Sequence, residues 1–302
     1  MIRLADFKTF YDTTLIRELE FIEKERKSLV VKIVTAIALA TLVFPTLAFY
    51  LIVVKKSDPT ELLYFLPFIP MIAFAIYMAL EPFIKSAIFY RHFKWKVINS
   101  IIQFINPSLN YDKRMFVPKH EYAHSSFFDD VSHVNFWGDD HVSGIFEKVK
   151  IEFSELKTKY QTKHGKEAYQ FRGIFFVGKF PAKFKVSIVI SNKKQSGFVP
   201  TETDNRHFDD MFFIKVLSGE PAEIKEFLAM DLLANIVEFY QQIHKDLYIS
   251  FIDNKMYVGI SHDKDLFEPQ LWTTNTNFDF IYMHFNDLYF PISIIEHFAK
   301  KS

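Results

Sequence analysis

Apolar positions recur in three rhythms along the chain. Between residues 3 and 27, Leu4, Phe7, Tyr11, Leu15 and Ile22 fall at helical spacing among Lys, Glu, Asp and Arg, which predicts an amphipathic helix. Residues 33–54 then carry no charge. Such a run rises about 33 Å as a helix, close to the roughly 30 Å of a bilayer's hydrocarbon core, so it reads as a transmembrane span. Residues 62–80 form a second uncharged run, closed by Glu81-Pro82. The connector from Lys55 to Glu61, with Ser57, Asp58, Pro59 and Thr60, has turn-forming composition and makes the two runs a hairpin. Pro45, Pro67 and Pro70 lie inside the runs, where each removes a backbone donor and kinks a helix. The helical rhythm resumes at Ile84, Ile88, Trp95, Ile98, Ile102 and Ile105, and this stripe is expected to meet that of the first helix. Asn106-Pro107-Ser108 ends the helical region.

Past that point strand patterns dominate. Residues 146–153, 168–177, 184–190 and 211–217 read as strands, with Lys163-His164-Gly165-Lys166 turning a long hairpin. Residues 221–244 form the clearest amphipathic helix, opened by Pro221 and Glu223, with Ile224, Phe227, Leu228, Leu232, Ile236 and Phe239 on one face. Residues 247–252 and 256–260 flank Asp253-Asn254-Lys255 as a short hairpin. The expected fold is therefore α+β: a two-helix transmembrane hairpin with flanking amphipathic stalk helices and a C-terminal cytoplasmic β-rich α+β domain. Its divisions are residues 1–32 (amphipathic helix), 33–80 (hairpin), 81–106 (stalk helix) and 107–302 (α+β domain).

Charge sets the expected orientation. Lys24, Arg26, Lys27 and Lys32 precede the first span and Lys85, Arg91, Lys94 and Lys96 follow the second, against Lys55 and Lys56 between them. The positive-inside rule puts both termini in the cytoplasm, at a bacterial inner membrane. A cleaved signal peptide is a poor reading, because the first run lies behind a long charged segment. The 302 residues balance 36 basic against 36 acidic side chains, so bulk nucleic-acid binding lacks an electrostatic basis. With no cysteine, disulfides, thiolate zinc sites, iron–sulfur clusters and thiol nucleophiles are excluded.

Several separated pieces resemble a known family. Phe171-Arg172-Gly173-Ile174-Phe175-Phe176, followed by Lys179-Phe180 and residues 184–190, is similar to a signature of a bacterial membrane-protein family, domain-of-unknown-function family 3137. Phe153-Ser154-Glu155-Leu156 lies ahead of it, and Ser250-Phe251-Ile252-Asp253, Tyr257-Val258-Gly259-Ile260 and Asp265-Leu266-Phe267-Glu268-Pro269 follow. Asp139-Asp140 and Gly144 fall where that family tends to carry an acidic pair and a glycine. The resemblance spans roughly residues 125–270. It implies a two-span anchor and a cytoplasmic α+β domain, and brings no catalytic residues.

One motif points to chemistry by itself. His120-Glu121-Tyr122-Ala123-His124 is a literal H-E-x-x-H, which on a helix sets two imidazoles one turn apart to hold zinc, with the glutamate as general base. His133, His141, Asp129, Asp130, Asp139 and Asp140 offer third ligands. Pro118-Lys119 before the motif and Ser125-Ser126 after it leave barely two helical turns, which favours solvated histidines. P-loop, G-x-G-x-x-G, G-x-S-x-G and kinase motifs are missing, and the spans hold no acid, base or histidine, which disfavours a pump or transporter. Asp253-Asn254 and Asp263-Lys264-Asp265 read as turn residues rather than a calcium loop. The leading expectation is a non-enzymatic membrane-anchored protein, without cofactor, that binds a partner or ligand and couples it to the hairpin as a homo-oligomer. Two alternatives are a tethered zinc hydrolase at His120, Glu121 and His124, and a nucleotide sensor whose Lys183, Lys185, Lys193 and Lys194 meet phosphates.

Overall fold

The computed structural model describes residues 2–54, 68–162, 165–200, 202–263 and 265–299. The expected connector Lys55–Glu61 lies outside the described residues, as do Lys163 and His164 of the predicted turn. The chain divides into two units. One comprises Leu4–Ser100 with Glu268–Ile281; the other is built from Ile101–Phe267 and the segment from Tyr282 onward.

The first unit is helical. Helix α1 (Leu4–Phe10) runs through a π turn, Tyr11–Leu15, into the long α2 (Ile16–Val54). Helix α3 (Phe68–Phe93) runs through a second π turn, Lys94–Ile98, into α4 (Asn99–Ile105). The buried side chains explain both turns. Phe7, Tyr11, Leu15 and Leu19 are buried at intervals of four, as are Phe89, Phe93, Val97, Ile101 and Ile105. A repeat of four outruns a helix of about 3.6 residues per turn and would wind the stripe around it; one wider turn takes up the drift. Of the predicted second stripe, Ile98, Ile102 and Ile105 are buried, while Trp95 and Ile84 are exposed. Helices α2 and α3 run antiparallel, tied by Lys32–Glu81 (2.6 Å), Glu25–His92 (2.8 Å) and Glu18–Lys96 (2.8 Å). Residues 268–281 return to this unit: Arg26 Nη1 donates to the Leu271 carbonyl at 3.0 Å and the Tyr11 hydroxyl to the Thr276 carbonyl at 2.5 Å.

The expected transmembrane hairpin is corrected here. Among the described residues no helix is long and apolar enough to cross a membrane. Where α2 and α3 pair, Glu18, Glu25 and Lys32 meet Lys96, His92 and Glu81, so that stretch is held by ion pairs, which a bilayer core disfavours. The inner-membrane location and the cytoplasmic placement of the termini, which rested on the two uncharged runs, fall with the hairpin.

The second unit is a nine-stranded antiparallel sheet in the order β1-β2-β3-β4-β9-β8-β5-β7-β6. Its strands are β1 (Asn110–Asp112), β2 (Asn135–Phe146), β3 (Val149–Gln161), β4 (Glu167–Lys179), β5 (Ser187–Ser191), β6 (Val199–Pro200), β7 (Phe213–Ser218), β8 (Leu247–Ile252) and β9 (Lys255–Ser261). Alternation sorts the central strands into two faces. Phe171, Phe175, Val177, Val189, Tyr248 and Tyr257 share one core with Val117, Tyr122 and Phe127, which come from the segment around the short helix α5 (Lys119–His124). Ile174, Phe176, Ile188, Ile190, Ile249 and Phe251 are buried on the other face. There Phe227 of α7 (Pro221–Phe227) meets Phe251, with ring centroids 4.8 Å apart. Helix α6 (Arg206–Asp209) is a single turn, capped by Asn205.

The single helix expected over 221–244 is two, because Leu228 and Ala229 leave the helical region (ψ 54° and 148°) before α8 (Met230–Ile243). Strand β2 and helix α9 (Phe278–Ala299) carry little sequence signal. The first reads as polar, and the second is buried on most sides beyond Ile281, so neither shows a clean amphipathic period.

Candidate functional site

In the helical unit, α2 and α3 leave an apolar groove of about 470 Å³. Ile33, Ile37 and Ala40 line it from α2, Pro82, Phe83 and Tyr90 from α3, and Leu271 from the returning segment. Small side chains at Ala36 and Ala40 open the space, and Ser86 contributes a hydroxyl that donates to the Phe83 carbonyl at 2.7 Å. Ile37 and Phe83 are exposed here. Beside the lining in sequence, Lys32 and Lys85 both reach one oxygen of Glu81, at 2.6 and 2.7 Å. These hydrogen bonds hold the Glu81 carboxyl below the usual carboxylate range. Two ammonium groups on one carboxylate leave a positive charge over. The arrangement offers an apolar trough with a cationic neighbour, and the volume is that of a small-molecule site.

In the sheet unit, Glu121 and His124 of the H-E-x-x-H segment are engaged by partners within the chain. Glu121 of the H-E-x-x-H segment is buried; Lys255 Nζ donates to its Oε1 at 2.6 Å and the Tyr257 hydroxyl to its Oε2 at 2.9 Å. Burial raises its pKa, but these two bonds outweigh that and hold it low. His124 Nδ1 donates to the Tyr257 hydroxyl at 2.8 Å and its Nε2 lies 3.6 Å from Asp253. His120 stays exposed, 3.4 Å from Glu121 Oε1. So the two imidazoles engage different partners, and the glutamate is committed to a lysine and a tyrosine. The four candidate lysines are not brought together either: Lys183 and Lys185 precede β5 while Lys193 and Lys194 follow it. Lys183 lies 3.4 Å from Asp253 and Lys193 lies 3.2 Å from Asp246.

A second cluster joins pieces far apart in sequence. Asp139, Asp140 and Glu155 bring carboxylate oxygens within 4.8 Å of one another, the one such set among the described residues. A bulge in β2 between Asp139 and Val142, with Asp140 at φ 58°, turns both aspartates toward β3. The Tyr111 hydroxyl donates to Asp140 at 2.5 Å. Glu155 Oε2 accepts the Leu266 N–H at 2.8 Å, and Lys157 Nζ lies 3.2 Å from Oε1. Lys157 also pairs with Asp265, which Arg172 Nη2 contacts at 2.8 Å. Burial pushes the Glu155 carboxyl up to about 8, with Asp139 adding to the rise, against the pull of Lys157 and the Leu266 amide. Asp265 is drawn down to about 2: burial opposes this, and Lys157 and Arg172 prevail. Oxygen ligands suit a hard cation. Here a proton on Glu155 and the Lys157 ammonium already offset the buried charge.

These features define an α+β chain made of an antiparallel-sheet unit and a helical unit that carries an apolar groove. Residues 169–300, from within β4 into the last helix, match a family described as protein of unknown function (DUF3137). That stretch of the chain is similar to the family suggested by the Phe171–Phe176 piece; the expected bacterial source and membrane setting do not follow from the match. No curated protein and no solved structure matches the chain.

Proposed function

We propose that the chain is a non-catalytic binding protein whose helical unit takes up a single-chain amphiphile with an anionic head. The groove carries this reading. Its apolar walls suit an alkyl tail, at about 0.8 kcal/mol for each methylene removed from water. The surplus positive charge of Lys32 and Lys85 over Glu81 suits a carboxylate head. The internally satisfied polar groups around Glu121 support binding over hydrolysis, because a general base needs reach to a bound water.

Palmitate serves as the probe, titrated into the full chain with displacement of a fluorescent fatty acid as readout. Saturable uptake of palmitate supports the reading. Ala40→Trp, which fills the groove, is expected to weaken binding at least about tenfold, roughly 1.4 kcal/mol. Undiminished binding by that variant would refute the groove as the site.

A further inference from the structure

Charge is scarce around the groove of the helical unit. Over residues 28–54 and 68–90, which include the lining positions of α2 and α3, the charged side chains are Lys32, Glu81 and Lys85 alone. Their geometry makes them one group. Lys32 Nζ reaches Glu81 Oε1 from α2 at 2.6 Å, and Lys85 Nζ reaches the same oxygen from one turn further along α3 at 2.7 Å. Glu81 is the least exposed of the three, at 20% against 26% for Lys32 and 44% for Lys85. Lys85 stands four residues after Glu81, the favourable order for an ion pair within a helix, which keeps the acid in place.

From this arrangement we infer that Glu81 determines which head the groove accepts: by cancelling one of two lysine charges, it fits the site to a monoanionic carboxylate rather than a dianionic phosphate monoester. The inference rests on the groove being an amphiphile site, as proposed above. Two positive charges less one negative leave a surplus of one. Attraction between that surplus and a ligand head grows in proportion to the head's charge, whereas the Born cost of taking the head out of water grows as its square. A single surplus charge therefore offsets the desolvation of one head charge better than that of two. A carboxylate brings the sum at the site to zero. A phosphate monoester carries about −1.5 to −2 charges at pH 7 and leaves negative charge in excess beside Glu81. Hydrogen bonds from Lys32 and Lys85 hold the Glu81 carboxyl below the usual carboxylate range, so it stays ionised at neutral pH and the balance persists. The lysines, on flexible four-carbon stems, turn to the entering head, and Glu81 remains as the fixed counter-charge.

The test measures the affinities of the full chain for palmitate and hexadecyl phosphate at neutral pH and low salt, each divided by that for uncharged hexadecanol so that changes in the apolar walls cancel. The wild-type chain is expected to prefer palmitate to hexadecyl phosphate. Glu81→Gln raises the surplus to two, and each unit of head charge should then gain about fivefold, the strength of one contact between unit charges a few ångströms apart in water. The preference therefore shifts about fivefold toward the phosphate. Lys85→Gln removes the surplus and should bring palmitate and hexadecanol to similar affinities. A wild-type preference for hexadecyl phosphate overturns the inference, as does a palmitate-to-phosphate ratio that a folded Glu81→Gln variant leaves unchanged. If that variant fails to fold, the wild-type preference and Lys85→Gln decide. Palmitate uptake that never saturates, or that Ala40→Trp leaves unmoved, removes the groove itself; saturable, Ala40-sensitive uptake with an unaltered ratio removes only this role of Glu81.

Discussion

Single residues carry much of the sheet's specificity, and three of them make sharp predictions. Gly173 lies at φ 151° in β4, and a Cβ there would sit 1.9 Å from the Ile260 carbonyl oxygen of β9. Gly173→Ala forces two central strands apart and should cost about 3 kcal/mol or more in chemical denaturation. The Tyr257 hydroxyl donates to buried Glu121 and accepts from His124; Tyr257→Phe leaves both short of a partner and should cost about 1–3 kcal/mol. Glu155 makes a pH prediction. Its folded pKa of about 8 lies above the ordinary 4.5, so between those values the folded chain keeps a proton that the unfolded chain releases. Stability then falls as pH rises through that window, by at most roughly 1.4 kcal/mol per pH unit, and Glu155→Gln should flatten the fall. Equal slopes in the two proteins would remove the buried-acid account. Glu155 stands out in sequence only as a piece of a family-like pattern, and Asp139-Asp140 as part of that pattern and as possible third ligands for the H-E-x-x-H motif. Their meeting with Lys157, Arg172 and Asp265 depends on strand order, which no local spacing encodes.

At the scale of elements, alternation made β4, β8 and β9 legible, and their predicted positions differ from the observed strands by a few residues at most. Strand β2 was illegible because its Gly138, Asp139 and Asp140 serve a bulge and a charged cluster rather than a pleated apolar face. The helical stripes show the opposite failure. Their positions in the first helix are correct for Phe7, Tyr11 and Leu15, yet the same 3.6-residue template applied after residue 84 selects the exposed Trp95. A π turn is an inserted residue, and its signature is a strict interval of four between buried positions. Deleting Trp95 should convert Lys94–Ile98 to an ordinary turn and leave the flanking faces aligned, with a melting temperature close to the wild type. Deleting Ser86, within regular α3, rotates one flank by about 100° relative to the other and should abolish cooperative unfolding. Equal damage from the two deletions would refute the drift argument.

For the whole molecule, the uncharged stretches that hydropathy alone assigns to a bilayer are read differently once helix bounds are known. Among the described residues no helix is long and apolar enough for a span, and the helices present an apolar groove beside three charged side chains. A charge count of zero hides this local excess of positive charge, which is why composition argued for no particular ligand. The most direct test of the central claim is isothermal titration of the full chain with palmitate, set against hexadecanol of equal tail length. The groove account predicts saturable palmitate binding, weakened by Ala40→Trp, and an affinity for hexadecanol lower by about tenfold, as expected for loss of the carboxylate's ionic contacts. Heats that never saturate, or that Ala40→Trp leaves unchanged, would contradict it.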